Sequence, residues 1–210
     1  MLLHWYGDNK RDLPIRLTKD PYKIWISEIM LQQTQMKTAI PYYTRWIDKF
    51  PTLELVAKAK SDKILKSWEG LGYYRRCLNF HKASKIVINK YNGRIPNEYE
   101  PFKALPGVGE YTAGAVLSIA FGIALPAIDG NVRRVMSRFK GIKNFTKRNK
   151  IIIYNSIVSL FNKINPGDIN QALMEVGALV CFPINPLCNK CPLSYQCKAL
   201  KNGNPELYPN

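Results

Sequence analysis

Leu105-Pro106-Gly107-Val108-Gly109-Glu110-Tyr111-Thr112-Ala113 places a proline and two glycines directly ahead of an apolar helical run. Proline followed by glycine marks a tight turn, so the stretch reads as a hairpin joining two helices, the second opening at about Glu110. The longest apolar stretch of the chain, Ala113 to Ile128, follows and contains Pro126. It is shorter than the ~18 to 20 residues a bilayer needs, so a buried helix is expected and no membrane span. Helical signals dominate on both sides of it. Asp20 before Pro21 reads as N-cap and first helical position of a helix to about Met36. Ser61 reads as a cap ahead of Ile64, Leu65 and Trp68, and a further helix carries Phe80, Ala83, Val87 and Tyr91 and stops at Asn92-Gly93. Asp129-Gly130 then precedes a helix bearing Val132, Val135, Met136 and Phe139. Hardly any segment alternates with period two, so the fold class is all-α.

At 210 residues and 46% hydrophobic composition, the chain can bury a real core as one large domain or two small ones. Lys and Arg number 31 against 15 Asp and Glu, a formal charge of +16. A polyanion is the natural partner, with counterion release a source of affinity. General solubility produces the same excess, so the charge carries weight only beside a motif. The start, Met1-Leu2-Leu3-His4-Trp5-Tyr6-Gly7-Asp8, lacks the basic-then-apolar order of a secretory signal, and the expected compartment is cytoplasmic. Five cysteines, four of them between Cys181 and Cys197, argue for metal rather than disulfides. Cys77 stands apart and is expected as a core thiol.

Cys181-x6-Cys188-x2-Cys191-x5-Cys197 gathers four soft thiolates in a short, proline-punctuated loop, a set that suits an iron-sulfur cluster or zinc. Structural zinc usually pairs two C-x2-C knuckles across a longer gap, and the single short spacing favours the cluster. At the hairpin, Gly107 and Gly109 let the backbone approach a phosphate, and the amides opening the second helix present N–H groups to it. A helix-hairpin-helix grips DNA in this way without reading sequence; a lone P-G-x-G is more often a plain turn. Glu28 has Ile24, Trp25 and Leu31 one turn away on its expected helix. That apolar setting favours a protonated carboxyl and makes it a candidate general acid, against the commoner fate of a surface glutamate. Gln32 and Gln33, in the run Ser27-Glu28-Ile29-Met30-Leu31-Gln32-Gln33-Thr34-Gln35, offer flat amides suited to probing bases. Asp129 sits at a helix start, where its ordinary role is N-cap. Eight basic residues and no acidic one lie from Arg133 to Lys150, and Gly70-Leu71-Gly72-Tyr73-Tyr74-Arg75-Arg76 sets stacking rings beside cations. A solvated face and filler tyrosines are the plain alternatives.

Together these motifs resemble the endonuclease III superfamily of DNA glycosylases, and within it the MutY-type adenine glycosylases, from Arg11 to Tyr208. The residues that carry the resemblance are Ser27-Glu28 with Met30 to Gln35, Gly70-Leu71-Gly72-Tyr73-Tyr74, the hairpin, Asp129-Gly130-Asn131-Val132 and the cysteine spacing. It implies two helical domains flanking a DNA-binding cleft: a six-helix barrel with the helix-hairpin-helix at 15–125, and an iron-sulfur cluster domain from 1–14 and 126–210. It also implies a [4Fe-4S] cluster, a monomer, and double-stranded DNA with A:8-oxoguanine or A:G mispairs as partner. The adenine would be flipped out of the duplex. Glu28 would protonate its ring and later help activate water, while Asp129 would stabilise or transiently capture the cationic sugar. By the same resemblance, Tyr111 and Asn131 support this pair, and Arg11, Leu13, Arg16 and Glu175 line or brace the adenine pocket. Gln33 and Tyr73 would wedge into the duplex near the opposing base, with Gln32 and Leu71 among the DNA-binding residues. Members that cut the strand carry a lysine where this chain has Tyr111, and its amine attacks the sugar; tyrosine implies base excision without strand cleavage.

Two departures stand out. Ile15 follows Pro14 where the family commonly has tryptophan, and the chain stops at Pro209-Asn210, where a full-length member continues into a second domain that helps recognise 8-oxoguanine. A catalytic part is therefore expected, either naturally short or a fragment. The competing readings are a mismatch thymine glycosylase of the same superfamily, a non-catalytic iron-sulfur DNA-binding module, and a zinc-binding nucleic-acid adaptor.

Overall fold

A computed structural model of the chain describes residues 1–161 and 165–209. The described residues form twelve α-helices and short 3-10 turns, with no strand among them. They fall into two compact units, Asp12–Phe121 and, discontinuously, Met1–Arg11 with Gly122–Asn210. The sequence expectation put the borders after residues 14 and 125. The first helix, α1 (Leu2–Asn9), belongs to the discontinuous unit.

The contiguous unit holds α2 (Pro21–Leu31), α3 (Met36–Lys49), α4 (Leu53–Lys58), α5 (Ser61–Trp68), α6 (Tyr74–Tyr91), α7 (Tyr99–Lys103) and α8 (Glu110–Phe121). Asp20 caps α2 as its sequence predicts, Oδ1 accepting from the amides of Tyr22 (2.8 Å) and Lys23 (3.4 Å) with Pro21 behind it. Residues Ile24 through Met30 are all buried, the mark of a helix enclosed on every side. Helix α2 packs against α3, α6 and α8. Trp25 meets Phe80 and Phe102 edge-on at 4.8 and 5.1 Å, and Trp46 meets Trp68 edge-on at 5.8 Å. Such pairs add roughly 0.5–1.5 kcal/mol each beyond their area burial.

Three expectations are corrected here. Helix α2 stops at Leu31 rather than Met36, because Gln33 takes a left-handed backbone (φ 56°) and α3 starts anew at Met36. Ser61 is the first residue of α5 and makes no capping hydrogen bond; Lys60 holds the cap position. The apolar run to Ile128 is not one helix: α8 ends at Phe121, Gly122 turns at φ +68°, and 122–129 lacks regular structure. Asn170 satisfies that segment in place of helical bonds, its amide donating to the Leu125 carbonyl (2.8 Å) and its oxygen accepting from the Ala127 amide (3.1 Å).

The discontinuous unit adds α9 (Gly130–Lys140), α10 (Lys147–Val158), α11 (Pro166–Leu179) and α12 (Lys198–Lys201) to α1. Helix α11 packs on α9 and α1, and α12 on α9. Their core gathers Val132, Val135 and Met136 of α9, Ile153 and Ile157 of α10, and Leu173 and Val176 of α11. None of the described helices is long and apolar enough to cross a membrane.

Candidate active site

In the contiguous unit, Glu28 is buried in the last turns of α2 at 7% exposure. The Tyr111 hydroxyl, one residue into α8, donates to its Oε2 at 2.7 Å. The neighbouring Thr112 hydroxyl accepts from the Gln32 amide at 3.1 Å. One turn of α8 thus engages both the carboxylate and the amide that follows it. The hairpin supplies that turn. Val108 N–H closes on the Leu105 carbonyl (3.1 Å), with Pro106 second and Gly107 (φ +80°) third, the signature of a type II turn. A Cβ at Gly107 would also lie 2.9 Å from that of Asn79, so glycine is required there twice over. At Gly109 a Cβ would meet nothing within 4 Å, which leaves the start of α8 open to an approaching group.

The other residues expected in this unit are placed as follows. Gln33 is exposed on its left-handed backbone, and Tyr73 is 60% exposed on another (φ 48°). Leu71 and Leu13 are buried, and Arg16 ends a short 3-10 turn. Cys77 is fully buried, and burial pushes its thiol up to about 12, as befits a core residue.

In the discontinuous unit, Asp129 divides its two oxygens between two tasks. Oδ1 caps α9 by accepting from Val132 N–H (2.7 Å), and Oδ2 accepts from the Asn131 amide (3.3 Å). Burial raises its pKa above the usual 3.8, while the hydrogen bonds from Val132 and Asn131 work the other way. Asn131 is fixed in turn by Arg134, whose Nη2 donates to the Asn131 side-chain oxygen and to the Gly177 carbonyl, both at 2.8 Å, and whose Nε donates to the Cys181 carbonyl at 2.8 Å. Gly177 has to lack a side chain: a Cβ there would lie 2.6 Å from the Asn131 Cβ. Arg11 and Glu175 form a bidentate pair. Nε and the backbone N–H donate to Oε1 (2.8 and 2.9 Å), Nη2 donates to Oε2 (2.8 Å), and Glu175 is wholly buried. The hydrogen bond to Glu175 raises the pKa of Arg11.

The basic run from Arg133 is not simply a solvated face. Arg138 is 3% exposed and donates to the carbonyls of Phe182, Pro183 and Tyr208, with Nη1 also 3.4 Å from the Cys181 sulfur. Sequence reading missed the inward roles of Arg134 and Arg138. The spacing of Arg134, three residues beyond Asn131 on one helix face, was the signal available.

Cys181, Cys188, Cys191 and Cys197 line one partly open hollow, with Arg138 on its wall. None is in a disulfide. Burial raises the Cys191 thiol to about 11, and its three fellow cysteines push in the same direction. The loop that carries them makes 3-10 turns at Cys188–Lys190 and Ser194–Gln196. Among the described residues, no group of three or more His, Cys, Asp or Glu is placed to hold a metal ion. The sulfur-lined hollow and its donor set fit a larger sulfur-ligated group.

Residues 26–172 match the profile of HhH-GPD superfamily base excision DNA repair proteins. The adenine DNA glycosylase of Buchnera aphidicola subsp. Baizongia pistaciae is 44% identical over 203 residues, which is 96% of this chain and 58% of that protein. The human adenine DNA glycosylase is 43% identical over 94% of this chain and 38% of its own length. The chain therefore spans about three-fifths or less of these relatives. Among solved structures, a thermostable thymine-DNA glycosylase superposes with a TM-score of 0.82 at 31% identity, covering 96% of this chain and 94% of that one. An endonuclease III in a non-covalent DNA complex superposes at 0.78 and 22% identity, covering 96% and 94%, and shares the fold.

Proposed function

Since the chain belongs to the HhH-GPD superfamily of base excision DNA repair proteins, we propose that it excises adenine opposite 8-oxoguanine or guanine in duplex DNA without cutting the strand. The observation that carries this reading is the buried Glu28 carboxylate bonded at 2.7 Å to the hydroxyl of Tyr111. A carboxyl so held can deliver a proton to the base. The C1′–N9 bond then breaks, its electron pair leaving with adenine, and water adds to the sugar. Asp129, with one oxygen committed to the cap of α9, stabilises the cationic sugar. Tyr111 occupies the place of the Schiff-base lysine of strand-cutting members, and a phenol cannot form that adduct. The open start of α8 presents N–H groups to a phosphate. Arg11, Leu13, Arg16 and Glu175 serve the adenine pocket, and Gln32, Gln33, Leu71 and Tyr73 the duplex.

Cys181, Cys188, Cys191 and Cys197 would hold a [4Fe-4S] cluster, which when bound closes their loop covalently; Arg134 and Arg138 hold the carbonyls around the first of them.

The test is single-turnover release of adenine from A:8-oxoguanine and A:G duplexes, with G:T duplexes in parallel and products split between alkali and no alkali. Adenine release with breaks only after alkali is expected. Thymine release without adenine would transfer the assignment to the thymine class that the 31% identical structure represents. Binding without release of either base would leave the non-catalytic module. A brown protein carrying iron is expected; a colourless one carrying zinc would overturn the cluster.

A further inference from the structure

Arg76 stands in the first turn of α6, where the helix dipole disfavours a cation. Its side chain serves other elements. Nη1 donates to the carbonyls of Ile29 (3.1 Å), Met30 (3.0 Å) and Gln32, at the C-terminal end of α2, where backbone oxygens lack helical partners. Nη2 donates to the Thr34 hydroxyl (3.1 Å) and the Gly72 carbonyl (3.4 Å). The guanidinium carbon also lies 5.2 Å from the Tyr73 ring centroid and 5.5 Å from that of Trp68. One planar cation therefore ties together two loops distant in sequence, around 32–34 and 72–73.

Each loop holds one non-glycine residue in the left-handed region, Gln33 at φ 56° and Tyr73 at φ 48°. Side chains disfavour that region, and it persists only where the surroundings hold it. Both residues are exposed. The group shared by their surroundings is this guanidinium.

We infer that Arg76 is a positioning residue that fixes Gln33 and Tyr73 as a single paired wedge, so that extrusion of the target base depends on its guanidinium. The inference rests on the base-excision reading above. Extrusion must offset lost stacking and pairing, and two exposed side chains on independently mobile loops would act less well than two held in one register. Lysine cannot replace the arginine: a point charge has no planar fork to span both loops.

The experiment uses Arg76→Lys and Arg76→Met in the full chain. Amide hydrogen exchange without DNA is expected to accelerate around 32–34 and 72–73 together in both variants while α8 keeps its protection. On duplexes with 2-aminopurine opposite 8-oxoguanine, the fluorescence rise that reports extrusion is lost. Single-turnover adenine release slows on the order of 100-fold, with duplex affinity little changed. In a Gln33→Ala/Tyr73→Ala background, adding Arg76→Met changes release almost not at all, because the residues act as one unit. Recovery by lysine, a multiplying effect in that background, or acceleration in only one of the two loops would overturn the proposal. Should the parent release no base from any mispair, the base-excision reading falls, and exchange alone decides the clamp: joint acceleration supports it and separate behaviour overturns it.

Discussion

The two carboxylates assigned to the proposed chemistry are held in opposite ways. Glu28 sits on a buried helix anchored by Trp25, which packs edge-on against Phe80 and Phe102, and a tyrosine hydroxyl donates to it. Asp129 is held by a chain of polar contacts running through Asn131 and Arg134 to the carbonyls of Gly177 and Cys181. Apolar packing fixes a side chain by excluding alternatives and tolerates volume-conserving change. A polar chain fixes it by satisfying donors and acceptors, so losing one link leaves a buried group unpaired. The first arrangement should fail gradually, the second at single positions.

The largest effects belong to the carboxylates themselves. Glu28→Gln and Asp129→Asn are each expected to slow single-turnover adenine release by about 10²- to 10⁴-fold, with near-native helical content by circular dichroism. Parent-like release by either variant would remove that carboxylate from the chemistry. On the packing side, Trp25→Ala should destabilise the protein by roughly 3–5 kcal/mol, read from chemical denaturation. A much smaller loss would mean that the aromatic cluster does not hold α2. On the polar side, Gly177→Ala forces a methyl onto Asn131 and should cost about 1–3 kcal/mol. It should also slow adenine release at constant duplex affinity, because displacing Asn131 displaces Asp129. A purely thermal effect with intact release would show that this chain of contacts does not position the carboxylate.

The smallest effect concerns pH. Burial raises the Asp129 pKa above 3.8, so the folded state binds the proton more tightly than the unfolded chain. Stability attributable to this group is then fully present below the unfolded value and is lost as pH rises through the folded one. Asp129→Asn should therefore gain slightly in melting temperature over the parent at neutral pH, a gain that vanishes below about pH 4. A gain that grows toward acid would reverse the assigned cause.

How much of this was legible in the chain divides along the same line. Local signals read well: Asp20-Pro21 opens α2, Asn92 and Gly93 close α6 with left-handed turns, and Asp129 caps α9. The cysteine spacing also pointed to one place, and the four side chains share one hollow. What escaped depends on side chains far away in sequence. Helix α2 stops where Arg76, more than forty residues on, takes its terminal carbonyls. The apolar run after Phe121 leaves helix because Asn170 can satisfy its backbone. Periodicity reports which residues want to be buried, not which distant amide or guanidinium will replace a helical hydrogen bond.

The pairing of Arg11 with Glu175 joins residues 164 positions apart, whereas Asp12–Phe121 forms one uninterrupted unit. On the ribosome, where chains emerge at about 5–20 residues per second, the uninterrupted unit can begin to fold as soon as Phe121 is clear. Helix α1 and Arg11, made before that unit, must wait for Glu175, made after it. Residues 1–11 thus find their place only after residue 175 is made, and a stall between Phe121 and Glu175 would leave the Glu28 unit assembled while the Asp129 unit still lacked its closing ion pair.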